Sequence, residues 1–464
     1  MKEKATFRPV KFGPKPYILI FLSIFYAGLS FGQSDLRSLL LLAEENHPLI
    51  AARQAEAEAA QVNIALEKNT LLPSLDAAYQ VNYSTYNNIT GMSYPGTFLP
   101  ISGPPSTDNF NNPVPGSAVS VLLKWSPLTF GQRSAAVEYN RKLYEKQLAD
   151  IEDEVLRLKF RVAFLYLEMT TTKELMGVFR NNIERNEFNL TQVSALVKAG
   201  LGPGVDSLRF KGELSKARTE LFRYENLFET QVQELRELLV SDTFQDIEMH
   251  DFYMENLPSE PKILDDASGN PVLKMARFEL EASQARLTQI SRSWTPRLEF
   301  WGTTYARGSG IAFDGTVNKA DGWSFSRYNY GVGVQLAFPI LDLPNVQLRT
   351  NKQKAVVRSY ENYFRQTQIA LTKEEAVALS DLKTSLLIAA EVPVEYEASE
   401  AAFRAIQSRY AAGLIDYSEL IQAQYDLLHA EAGLKNAFIS SWKSLLKMAV
   451  IRGDVNIFLN QIQH

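Results

Sequence analysis

The 464-residue chain contains no cysteine. This removes disulfides, thiolate metal sites, cysteine nucleophiles and lipid attachment through an N-terminal cysteine. Histidine is nearly as scarce: His47, His250, His429 and His464 are the four copies, and none has a partner at metal-ligand spacing. Neither a metal nor a cofactor is expected. The formal charge of −5 gives no basic footprint for a nucleic acid. The glycines from Gly200 to Gly204 lack the lysine and hydroxyl of a phosphate loop, and they follow a helical pattern rather than a strand. With no nucleophile constellation either, the chain does not read as an enzyme.

The apolar stretch from Tyr17 to Leu29 falls short of the ~20 residues that a spanning helix needs. It follows Lys2, Lys4, Arg8, Lys11 and Lys15 and precedes Ser30-Phe31-Gly32-Gln33, which is the layout of a cleavable export signal over residues 1–33. Its removal takes away five basic residues and Glu3, leaving a mature charge of −9.

What the chain does have is a repeat. Pro48, Glu56, Glu58, Ala59, Gln61, Pro73 and Leu75 recur as Pro271, Glu279, Glu281, Ala282, Gln284, Pro296 and Leu298, all at a shift of 223. Further on, Val119, Val121 and Leu123 recur as Val332, Val334 and Leu336, and Gly200-Leu201 as Gly413-Leu414, now at a shift of 213. The ten-residue difference falls between the blocks, in residues 87–117 against 310–328, and loops absorb length changes at least cost. Two tandem copies result, at 34–240 and 270–452, joined by an acidic linker over 241–269 and followed by a tail over 453–464. Two copies are too few for a solenoid and suit a pseudo-symmetric ring better.

Within each copy the period changes twice. Helical spacing up to Asn69 gives way after Pro73 to strict alternation: Leu75, Ala77, Tyr79, Val81 and Tyr83 oppose Asp76, Ala78, Gln80, Asn82 and Ser84. Strands are expected near 74–86, 117–126, 297–307 and 328–338. The third is the least regular, because Trp301 and Tyr305 share a face with Glu299. Alternating strands of about ten residues with aromatics toward their ends suit a transmembrane β-barrel. Four strands cannot close one, since the smallest bacterial barrels have about eight, so the barrel is expected to be shared between subunits.

From Leu128 to Lys198 no proline interrupts the chain. Leu148, Ile151, Val155, Leu158, Val162, Leu165, Met169, Thr172, Met176, Phe179 and Ile183 form a heptad seam, which predicts a long supercoiled helix. Turns at 199–205 and 411–416 reverse the two long helices into antiparallel hairpins. Pro393 predicts a kink or break near Glu391. The eight acids of the linker read as a solvated outer face.

With the repeat, the Leu-Pro-Ser-Leu junction at 72–75, the Trp-Ser-Pro-Leu exit at 125–128 and the Ala-Gly-Leu turns together, the chain resembles the TolC family of outer-membrane efflux proteins. The resemblance covers nearly the whole mature chain. It implies a homotrimer with a twelve-stranded barrel in outer-membrane lipid and a helical barrel in the periplasm. It also implies a passive duct that completes an inner-membrane pump through a periplasmic adaptor. The docking tips would be Ala199, Gly200 and Leu201 with Ala412, Gly413 and Leu414. Asp206 and Glu419 match the family's pore-facing acids, Tyr410 matches a gate tether, and Gln422 stands where a second acid is usual. Asp206 can equally cap its own helix, and Glu419 can compensate a helix dipole. A coiled-coil structural protein of the envelope is the competing function, and a protein-secretion channel is the alternative within transport.

Overall fold

The computed structural model describes residues 36–85, 109, 111–200, 203–241, 251–261 and 269–462. The export segment, most of the 87–117 loop, Leu201 and parts of the linker lie outside the described residues. The first copy runs α1 (Leu36–Asn46), α2 (Pro48–Asn69), β1 (Ser74–Ser84), β2 (Val114–Leu128), α3 (Gln132–Lys198) and α4 (Gly204–Leu239). After α5 (Phe252–Glu255), the second runs α6 (Pro271–Ser291), β3 (Arg297–Ser309), β4 (Arg327–Ala337), α7 (Leu343–Ala411), α8 (Tyr417–Ile451) and α9 (Asn456–Leu459). The sequence duplication is thus a duplication of structure. No described helix is long and apolar enough to cross a membrane.

The four strands form one antiparallel sheet in the order β1-β2-β3-β4. Leu75 lies opposite Leu123, Leu123 opposite Gly302, and Gly302 opposite Val332. Because alternate residues share a face, this register gathers the apolar sets of all four strands on one side. That side carries Ala77, Tyr79, Val121, Trp125, Leu298, Phe300, Tyr330 and Val334. The other carries Asp76, Gln80, Lys124, Glu299, Arg307, Arg327 and Gln335. The irregular third strand has a local cause. Trp301 on the polar face lies against β4 where Gly333 offers no side chain; a Cβ there would come within 2.5 Å of the indole.

Strands of 11 to 15 residues lead straight into helices of 67 and 69 residues, each roughly 100 Å long at 1.5 Å per residue. Near the sheet α3 packs between α2 and α6; farther away it packs between α4 and α8, while α7 follows α6 and then α8. At the exchange of partners, the flat helical layer is thickened by α1, α5 and α9. Tyr166, Tyr253, Trp442 and Phe458 are fully buried there, and the Trp442 indole donates to the Asn256 carbonyl at 2.9 Å. Tyr253 comes from the acidic linker and Phe458 from the C-terminal segment, so both stretches contribute to the core as well as meeting solvent.

Two features depart from the sequence reading. The break expected near Glu391 is absent: α7 runs through Pro393 to Ala411. A proline removes one helical hydrogen bond, and here Ala389 is fully buried while Val392 packs toward Gly433 of α8, so interhelical packing holds the segment. The seam of α3 also turns. Leu158, Val162, Leu165, Met169 and Thr172 are buried, but beyond them the buried positions are Leu175, Val178, Asn182, Asn186, Asn189 and Val193, while Met176, Phe179 and Ile183 are only half-buried. The face rotates because α3 has changed neighbours.

Candidate functional site at the helix tips

The two turns are built on left-handed glycines, Gly200 with φ +70° and Gly413 with φ +71°. A side chain is disfavoured in that region, which is why helices so often end on glycine. In the second copy the Gly413 amide donates to the Tyr410 carbonyl at 2.9 Å and the Leu414 amide to the Arg409 carbonyl at 2.9 Å, so the last carbonyls of α7 are satisfied. The Gly200 amide likewise donates to the Val197 carbonyl at 3.1 Å. Ala199, Gly200, Ala412, Gly413 and Leu414 are exposed, and Leu414 is joined at this end by exposed Val205 and Leu208. The last two are apolar surface that motif matching did not single out.

The returning helices start differently. Asp416 caps α8, its carboxylate accepting from the Ser418 amide at 2.8 Å and the Glu419 amide at 3.2 Å. Glu419 is therefore free of the capping role; it stands exposed in the first turn, where the helix dipole favours an acid. The cap position of α4 is Pro203, with no side-chain hydrogen bond, and Asp206 lies inside the first turn. Asp206 thus acts on its helix through the dipole and not as a cap. Gln422 is exposed one turn beyond Glu419, and its amide donates to Asp426 at 2.8 Å. At three- and four-residue spacing, Glu419, Gln422 and Asp426 share one exposed face of α8. Asp426, an acid that motif matching does not single out, thus stands one turn beyond Gln422 on that face.

Tyr410 belongs to an aromatic knot that ties α4, α7 and α8 together. Fully buried Phe210 meets Tyr410 edge-on at 6.4 Å and Tyr417 at 4.8 Å, and the Arg209 guanidinium lies 5.3 Å from the Tyr417 ring. Burial, then the charge of Asp206, raises the pKa of Tyr410. Tyr417 is pushed up to about 12, by burial first and then by Glu213. Both phenols stay neutral at physiological pH, and Asp206 and Tyr410 are brought within electrostatic reach across the two turns.

Behind the knot the helices are joined by polar groups. Gln424 of α8 donates to Asn182 at 2.9 Å and accepts from Asn189 at 3.1 Å. Farther along, Arg185 makes a two-pronged pair with Glu431 at 2.8 and 2.7 Å. Tyr425 of α8 donates to Glu213 of α4, and burial followed by that bond raises its pKa. A core of this kind fixes register, because a slip would strand buried polar groups without partners.

The profile of a family described as outer membrane efflux protein matches residues 39–240 and 266–441, one match for each copy. No curated protein matches the chain. Among solved structures, the outer-membrane channel OprN is 18% identical with a TM-score of 0.75, the alignment covering 90% of this chain and 89% of that one. CusC, described as forming a transmembrane channel, is 12% identical with a TM-score of 0.77 over 91% of this chain and 92% of its own. The outer membrane protein VceC of Vibrio cholerae is 13% identical, with a TM-score of 0.74 over 91% and 97%.

Proposed function

This chain belongs to the outer membrane efflux protein family, and we propose that three copies form the exit duct of a tripartite export system. It is an outer-membrane efflux channel and not an enzyme. The observation that carries the finer reading is the sheet. Its apolar face is bare, with Tyr328, Tyr330 and Val332 each at least 80% exposed, and among the described residues β1 and β4 each have a single strand partner. In water such a face forgoes roughly 1.5–3 kcal/mol per large apolar side chain, and open edges invite further pairing. Lipid on the apolar face and neighbouring copies on both edges remove both costs, and three copies supply twelve strands.

The helical edges support the same closure. Val62 and Leu66 of α2, Phe222 of α4, and Leu348, Tyr363, Ile369 and Leu387 of α7 are exposed apolar residues along the two sides of the layer. In a ring, the α7 side of one copy meets the α2/α4 side of the next. The tips then converge, bringing Asp206, Glu419 and Asp426 into threefold rings. Carboxylates so placed attract cations and set the charge preference of the opening. Gly200 and Gly413, with Val205, Leu208 and Leu414, form the knobs on which a periplasmic adaptor docks, and the adaptor links the duct to an inner-membrane pump.

The test is the native mass of the detergent-extracted outer-membrane fraction, corrected for bound detergent. Three times the mature chain is expected. A monomeric or soluble product would remove the shared barrel and favour a coiled-coil scaffold of the envelope.

A further inference from the structure

The apolar face of the sheet is open along most of its length, but at the end away from the helices one segment of chain lies across it. After β3 the chain makes a 3-10 turn at Lys319–Trp323 and enters β4 at Arg327. Its contacts place this segment on the apolar side. Ser117 Oγ donates to the Gly322 carbonyl at 2.7 Å, Phe325 meets Tyr79 edge-on at 6.3 Å, and the Lys319 ammonium lies 5.9 Å from the centre of the Tyr83 ring. Tyr79, Tyr83, Pro115, Ser117 and Gly308 all share the face of Val121 and Val334. The fit is flush. A Cβ on Gly308 would come within 2.3 Å of the Ser324 carbonyl oxygen, and one on Gly322 within 2.3 Å of that of Pro115.

We propose that residues 318–326 form a lipid-binding strap, seated in the headgroup layer of the leaflet away from the helices, with Trp323 and Phe325 against the acyl boundary and Lys319 toward lipid phosphate. The proposal rests on the reading that the apolar face meets lipid. Height supports it. From Leu298 to Gly308 strand β3 runs roughly 33 Å at ~3.3 Å per residue, and a tilt of ~40° leaves about 25 Å of height, the thickness of a barrel's apolar band. At the other limit of that band Trp125 and Phe300 lie 5.7 Å apart, and the Trp125 indole donates to the Leu71 carbonyl at 2.8 Å. The strap therefore sits where the second aromatic girdle of a barrel is required, and a loop supplies part of it. Its composition agrees: exposed Trp323 and Phe325 stand among Asn318, Lys319, Asp321, Ser324 and Ser326, the mixture of ring and polar tip that suits an interface. Lys319 also donates to the Tyr83 hydroxyl at 3.4 Å, which leaves donor capacity on its ammonium for a phosphate oxygen.

Because the chain has no cysteine, a nitroxide can be attached at one chosen position at a time. Ala320→Cys reports on the strap with both aromatics in place, Val334→Cys on the apolar face, and Ala412→Cys on a helix tip in water; all three positions are exposed. Each labelled chain is reconstituted into vesicles of phosphatidylethanolamine and phosphatidylglycerol, and collisions with oxygen, which concentrates in lipid, are compared with collisions with a water-soluble nickel chelate. The oxygen-to-chelate ratio should be high at Val334, low at Ala412 and intermediate at Ala320. Gly308→Ala, which lifts the strap through the Ser324 contact, and Trp323→Ser combined with Phe325→Ser should each bring Ala320 down to the Ala412 ratio while Val334 keeps its own. A ratio at Ala320 equal to that at Ala412 beside a high one at Val334 would overturn the strap alone; low ratios at both would overturn the lipid-facing sheet with it. A label at Ala320 shielded from both reagents would place the strap against protein and overturn the proposal, as would an unchanged ratio in both strap variants.

Discussion

Val334 and Gln335 are adjacent on β4 and point to opposite faces of the sheet, which makes them a matched pair for testing where lipid lies. Val334 is 61% exposed and lies opposite Phe300; Gln335 lies opposite Glu299 on the polar face. Val334→Asp places a carboxylate on the apolar face. In lipid an acidic side chain costs less than the ~2–4 kcal/mol found for a basic one at mid-depth, and less still toward the interface, and loss of the lipid-covered valine adds about 1–2 kcal/mol. A total of roughly 3 kcal/mol per chain, repeated three times in one closed barrel, reaches about 9 kcal/mol, comparable to the whole stability of an ordinary domain. Gln335→Glu changes charge on the lumen side and should cost less than about 1 kcal/mol. The assay is the fraction of each variant recovered in outer membranes as urea-resistant oligomer. Loss for Val334→Asp with retention for Gln335→Glu is expected, and Val121→Asp should match Val334→Asp, because both residues lie on the same face. Normal assembly of Val334→Asp, or equal failure of both members of the pair, would refute a lipid-facing sheet.

Replacing Asp206 and Glu419 together with alanine should raise resting conductance and weaken block by divalent cations in planar bilayers; unchanged conductance and block would confine both acids to helix-dipole roles. Asp416→Ala removes the cap of α8 at a cost of about 1 kcal/mol, and should speed hydrogen exchange in the first turn of α8 while leaving divalent block intact. Glu431→Leu strands Arg185 in a half-dry site and should destabilise the helical layer by about 3–5 kcal/mol, whereas Arg185→Met combined with Glu431→Leu should recover most of that loss; thermal unfolding of the parent chain and the two variants decides. Tyr417 holds its proton to about pH 12 when folded, against ~10 unfolded. Its neutral form therefore stabilises the fold fully below pH 10, and the contribution falls as pH rises toward 12. Tyr417→Phe should flatten that part of a denaturation-against-pH curve.

The sheet was legible because its signal is local. Alternation with period 2 depends on each strand alone, and the two constant shifts pair the strands before any contact is known. Where reading stopped, the determining residue lay in another element. Trp301 looks misplaced until Gly333 is seen beneath it. Asn182, Asn186 and Asn189 continue the α3 seam, but a search for apolar heptads passes over them, and their burial follows from Gln424 some 240 residues away. Pro393 breaks an isolated helix and does not break one braced by α8. At the tips, Gly200 and Gly413 are marked by the turn they must make, while the capping role of Asp416 depends on where α8 begins, which spacing alone does not fix.

The duplication also fails in an informative way at those tips. Both hairpins reverse on a left-handed glycine, yet only the second follows it with a side-chain cap; the first proceeds through Pro203, which fixes the backbone angle without capping the new helix. Caps are worth about 1 kcal/mol each, so α8 begins at a better-defined place than α4. Apolar exposure runs the other way, with Val205 and Leu208 open on α4 and the face of α8 carrying Glu419, Gln422 and Asp426. Two copies of one unit thus present different chemistry at the same end of the molecule. In the proposed ring, α8 would contribute Glu419 and Asp426 while α4 would contribute Asp206 together with the apolar Val205 and Leu208, so substitutions on α8 would alter charge without touching the apolar surface.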